Sequence, residues 1–154
     1  ALDEGLFGEA HEHIKNARRV ADDSKKNLMA KEQIIRTAKL VDNAKRLGVD
    51  ISEVAKIMMS SWDALEQGDY GVVKSRIKDE KAAINLATEH KNFVDSVREV
   101  EARVSAMRQG KIDTADLEEI LTDAKKALMK KNYADVRKFV NKIKREIEKT
   151  VLQK

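Results

Sequence analysis

The chain contains no cysteine and no proline among 154 residues, and Phe, Trp and Tyr together supply 4% of it. Without cysteine there can be no disulfide, no thiolate metal site and no thiol nucleophile, although this leaves the cellular compartment open. Without proline nothing forces a helix to kink or stop, which favours long helices with few connections. So few aromatic residues suit narrow seams of Ala, Val, Ile and Leu between helices better than a large enzyme-type core. The 6 glycines are scattered, with no run able to cradle a phosphate. No apolar run approaches the roughly 18 residues of a membrane-spanning helix, and no signal-peptide pattern opens the sequence. The chain as it stands is expected to be soluble, with nothing to assign a localisation.

Charge, by contrast, is abundant. Lys and Arg number 31 against 27 Asp and Glu, a net of +4. This mild surplus on a densely charged surface is weak evidence for a nucleic-acid partner.

The strongest signal is internal repetition. `ALEQGDYGVV`, starting at Ala64, returns as `ALMKKNYADV`, starting at Ala127, an offset of 127 − 64 = 63. The same offset sets Val54 on Leu117, Ile57 on Ile120, Leu65 on Leu128, Val73 on Val136, Ile77 on Val140 and Ile84 on Ile147. It also sets Phe7 on Tyr70, Ile14 on Ile77, Ile34 on Val97 and Val41 on Val104. Apolar positions recur while the rest drifts, as happens when packing is the shared constraint.

Each unit reads as helices. Asp50 with Glu53, and Asp113 with Asp116, have the spacing of a capping box. Apolar residues 54, 57, 58, 61 and 65 follow helical spacing until Gly68 supplies a stop. The next helix meets no stop before Gly110. Its first half carries Tyr70, Val73, Ile77 and Ile84 in one heptad phase, and its second half carries Leu86, Phe93, Val97, Val100 and Val104 in another. Such a rotation of the apolar face is expected where a helix passes from one bundle into the next. The first long helix repeats the pattern with Phe7, Ala10, Ile14, Ala17, Ala21 and Leu28, then Ile34 and Val41.

The sequence therefore predicts an all-α fold of two tandem antiparallel three-helix bundles sharing one long central helix. The five helices are expected at about 6–47, 51–67, 69–109, 113–131 and 133–152, with domains at about 1–88 and 89–154. Because the pattern opens and closes part-way through a unit, a fragment of a longer array is expected. A helix running from one three-helix bundle into the next resembles the spectrin-like tandem repeats. Segments of the form `LGVDISEVAKIM` followed by `ALEQGDY` are similar in style to helical repeat regions of uncharacterised archaeal proteins. These resemblances imply a role in spacing or protein binding and bring no catalytic residue with them.

Candidate chemistry is sparse. Glu9 and His13 are four apart and share a helix face, but Glu-x-x-His pairs of the di-iron kind do not occur, and the face reads as solvated. His90 falls on the second seam, where a polar residue can set register. No serine or threonine has a base and orienting group that can be argued. Neither enzyme activity nor a cofactor or metal is expected.

Two surface features are candidates for binding. Met59 and Trp62 flank the seam of the first short helix, where aromatic and Met side chains can form a protein-binding hot spot; the alternative is that Trp62 covers the edge of its own bundle. Lys125, Lys126, Lys130, Lys131, Arg137 and Lys138 surround the `KKNYADVRK` turn with only Asp135 in opposition, a pattern that suits an anionic partner or simply a solvated face. The leading expectation is a non-enzymatic structural or adaptor segment, an elongated spacer binding protein partners or neighbouring domains. The alternative is nucleic-acid or anionic-surface binding through the basic turn. Self-association through unsatisfied seams at the chain ends is a third reading.

Overall fold

A computed structural model describes the backbone of residues 2–153 and the side chains of residues 5–153. Five helices make up the fold of the described residues: α1 (Leu2–Arg46), α2 (Ser52–Glu66), α3 (Tyr70–Gln109), α4 (Ala115–Met129) and α5 (Tyr133–Leu152). Among the described residues there is no strand, and the chain is all-α. The charged helices hold because each offers a narrow apolar stripe to its neighbours while its other faces stay in water.

All four interhelical turns are closed in the same way. Gly48 and Gly68 adopt left-handed φ values of 77° and 72°, and Lys111 and Lys131 adopt 59° and 54°. In each turn the following amide donates back to a carbonyl five residues earlier: Val49 to Ala44 at 3.0 Å, Asp69 to Ala64 at 2.9 Å, Ile112 to Met107 at 3.1 Å and Asn132 to Ala127 at 2.9 Å. This is the Schellman closure, which satisfies carbonyls that the helix end leaves unpaired. Since 111 − 48 and 131 − 68 both equal 63, the period is written in the backbone as well as in the side chains. The second copy has lost both glycines, so two lysines hold a conformation that a Cβ disfavours.

The helix starts differ from the capping boxes expected at Asp50 and Asp113. Asp50 Oδ1 accepts from the Ser52 amide at 3.0 Å and the Ser52 hydroxyl at 2.8 Å, and Asp113 Oδ1 accepts from the Ala115 amide at 3.1 Å. Each Asp thus sits one residue before the N-cap, which is Ile51 or Thr114. Glu53 and Asp116 consequently fall at the second helical position, one short of the place from which a capping-box acid reaches back. Glu53 pairs with Lys56 at 2.7 Å instead. The reciprocal cap forms at α5, where Asn132 Oδ1 accepts from the Asp135 amide at 3.3 Å and Asn132 Nδ2 donates to Asp135 Oδ2 at 2.7 Å.

Two compact units divide the chain at Ala1–Asn85 and Leu86–Lys154, each with a core supplied by three helices. In the first, Ala30 and Ile34 of α1 meet Ala64 and Leu65 of α2 and Val73 and Ile77 of α3, with Trp62 and Tyr70 packed against them. In the second, Val97, Val100 and Val104 of α3 meet Leu117 and Leu121 of α4 and Val136, Val140, Ile143 and Ile147 of α5. Within this unit the pairs Glu101–Lys125 and Arg108–Glu118 (3.5 Å) show α4 running antiparallel to α3. The Glu99–Lys144 pair (3.4 Å) and the His90–Tyr133 contact (2.9 Å) show α5 returning parallel to it.

The seam assignment needs two corrections. Leu86, expected on the second seam, is 63% exposed, because the described core of that unit begins at Phe93. On α1 every residue from 5 to 29 is exposed, so the stripe through Phe7 and Ile14 covers nothing and burial starts at Ala30.

Candidate functional site

Three places combine side chains able to do more than pack. The first is a polar layer inside the core of the first unit. Thr37, Ser61 and Glu80 are all less than 2% exposed. The Ser61 hydroxyl donates to Glu80 Oε1 and also lies 3.3 Å from the Ile57 carbonyl oxygen, and the Thr37 hydroxyl donates to the Gln33 carbonyl at 3.0 Å. Glu80 Oε2 is buried without a hydrogen-bond partner. Burial raises the Glu80 carboxyl above its ordinary value, opposed by the Ser61 hydrogen bond. One period later the same three positions hold Val100, Ala124 and Ile143, each fully buried. Reading the sequence for apolar recurrence did not single out Glu80. The signal was present, since the offset of 63 that carries every core position sets Glu80 on Ile143.

The second place is an aromatic cluster at the start of α5. Tyr133 stacks on Phe93 with ring centroids 4.7 Å apart and planes 3° from parallel, and Arg137 lies 5.7 Å from the Phe93 centroid. The Tyr133 hydroxyl meets His90 Nδ1 at 2.9 Å. Burial, with the Glu89 charge added, raises the tyrosine hydroxyl above its ordinary value. His90 is thus a half-buried seam residue held to a specific partner on α5. Its counterpart one period earlier is Asn27, and that of Phe93 is Ala30, so this cluster has no equivalent in the first unit.

The third place is the basic turn, and its six cations divide. Lys125 pairs with Glu101, Lys126 lies 3.9 Å from Asp123, and Arg137 is drawn over Phe93. Lys130, Lys131 and Lys138 are exposed and, among the described residues, have no acid within ion-pair distance. Asp135, the one acid in this stretch, is bound to Asn132 at the helix start. What remains is a small set of unneutralised ammonium groups on and just after a turn, fit for a phosphate-bearing surface but, among the described residues, with no buried donor beside them to orient a ligand.

Met59 and Trp62 also part company. Met59 is 67% exposed, whereas Trp62 is half-buried against the core of its own unit. His11 and His13 lie on the exposed part of α1, and among the described residues no group of three or more metal-ligating side chains comes together. No helix of the described residues is long and apolar enough to cross a membrane. No family model, no curated protein and no solved structure matches the chain.

Proposed function

We propose that this chain is a non-enzymatic helical-repeat segment, a spacer and protein-interaction module of the kind formed by spectrin-like tandem bundles. One observation carries the reading: the 63-residue period recurs in the turn geometry, since left-handed Gly48 and Gly68 return as left-handed Lys111 and Lys131. A unit that keeps its backbone closure after losing the glycines that favour it is held by packing. Modules of this type are added or removed in whole periods. The test is to duplicate residues 64–126 in the chain and measure small-angle scattering before and after. The spacer reading expects the largest dimension to grow with the added period. A particle that merely swells in all directions would contradict it.

A second reading is favoured by the unneutralised Lys130, Lys131 and Lys138 beside Arg137: this turn binds an anionic surface or nucleic acid. Binding to vesicles rich in phosphatidylserine, or to duplex DNA, should then weaken steeply with salt. It should disappear when these four cations are reversed to Glu. Salt-independent binding, or binding that survives the reversal, would remove this reading.

A further inference from the structure

The exposed part of α1 has two internal counterparts, and both are covered. Slid by one and by two periods, Phe7-Gly8 falls on Tyr70-Gly71 and Tyr133-Ala134, Ala10 on Val73 and Val136, and Ile14 on Ile77 and Val140. Val73 and Ile77 are 1% and 6% exposed, and Val136 and Val140 are 0% and 5%, yet Ile14 is 54% and Phe7 76%. In both covered copies the cover has the same form. It is a helical hairpin made of the end of one long helix and the short helix after it: residues 30–66 over the start of α3, and residues 93–129 over α5. A helix exposed on all sides from residue 5 to residue 29 and carrying Gly5 and Gly8 has little to hold it in water, because tertiary packing supplies most helix stability.

We propose that residues 7–24 of α1 are a docking face for a helical hairpin of this same repeat type, resting on the repeat reading above. The chemistry of the occupant follows from the face. Ala10, Ala17 and Ala21 stand where α5 has Val136, Ile143 and Ile147, so the hairpin must bring its own bulk, as the Val97, Val100, Leu117 and Leu121 seam does. In the second unit Lys144 pairs with Glu99, and Arg18 stands two periods before Lys144, so a hairpin of the second unit's kind, rather than the first unit's with Arg36 at that position, sets an acid opposite Arg18. A second copy of the intact chain fits less well, because its two hairpins already cover α3 and α5.

The test is a chimera in which residues 93–132 precede Phe7, which keeps the register and places Glu99 opposite Arg18. Amide hydrogen exchange is read over residues 10–24 in the chimera, in the chimera with Ile14→Glu, and in the unaltered chain, with sedimentation of all three. Exchange over 10–24 is expected to slow by at least about tenfold in the chimera, the equivalent of about 1.4 kcal/mol of added local stability. Ile14→Glu is expected to reverse this, and the chimera to stay monomeric. Unchanged exchange in the chimera would overturn the proposal. So would an unaltered chain that dimerises with residues 10–24 already protected and becomes monomeric with Ile14→Glu, since a second copy would then be the cover. Either failure leaves protection of residues 30–147 intact and is thereby distinguishable from failure of the repeat reading itself.

Discussion

Replacing Glu80 with isoleucine should make the protein more stable, although it removes a charged side chain from a strongly charged helix. The second unit already uses this residue, since Ile143 occupies the equivalent place at 0% exposure beside Ala124. Glu80 leaves Oε2 buried and unpartnered, a defect that costs about 1–3 kcal/mol. Isoleucine removes the defect and buries additional apolar surface at about 25 cal/mol per Å². It gives back about 0.3 kcal/mol in helix propensity and has one side-chain heavy atom fewer than Glu, so overpacking is not expected. The net gain near neutral pH is about 2 kcal/mol, or about 10 °C in the unfolding midpoint for a cooperative unit of this size. The gain should itself depend on pH. The folded carboxyl titrates above the ordinary 4.5, so the folded state holds its proton where the unfolded chain has lost it. Its favourable contribution is complete below the unfolded value and is lost as pH rises through the raised folded value. Thermal unfolding of the parent and of Glu80→Ile at pH 4 and pH 7 should therefore show the larger advantage at pH 7. Destabilisation by Glu80→Ile would refute the equivalence of the two cores, and an equal advantage at both pH values would refute a titrating carboxyl in the first.

Further outcomes follow from the same geometry. Ser61→Ala should cost about 1–2 kcal/mol in the parent by stripping the one partner from Glu80, and close to nothing once Glu80→Ile is present, a coupling that a double-mutant cycle measures. Gly68→Ala should destabilise by about 1 kcal/mol and Lys131→Gly should stabilise by a similar amount; no atom crowds a Cβ at Gly68, so only its φ of 72° is at issue. Denaturant titration reads both. Ile34→Ala, at a fully buried position, should cost about 2–4 kcal/mol, while Met59→Ala, exposed and off the core, should stay within about 0.5 kcal/mol.

How much was legible in the sequence follows from what each signal depends on. Burial recurs with the period because volume and polarity at one position constrain the same position in every copy. Val54, Val73, Val97 and Val136 could therefore be found by sliding the chain along itself. The five helices emerged to within four residues at each end, and three ends fell on the same residue, since the stops lie at turns whose geometry repeats. Capping was misplaced by one residue because an Asp before the N-cap and an Asp at the N-cap look alike until the backbone is seen. The exposed face of α1 was read as a seam because periodicity reports the capacity to bury and is silent on whether a partner is present. Leu86 failed for a related reason: it continues a heptad phase beyond the reach of the helices that cover it. Of the candidate sites, the basic turn was legible as composition. Which of its lysines are neutralised depended on Glu101 and Asp123, one of them from another helix. Glu80 was hidden by its charge, because a carboxylate on a charge-rich helix draws no notice until its register is compared with Ile143.

The most direct measurement on the claim that this repetition is a packing period is removal of one whole period. Deleting residues 64–126 joins Asp63 to Ala127 and leaves 154 − 63 = 91 residues, with Val136, Val140 and Ile143 brought against Ile34, Val54 and Ser61. A monomeric, fully helical chain that unfolds in a single cooperative transition is the expected result. A chain that is molten or unfolded, while a deletion of equal length out of register behaves no worse, would contradict the account.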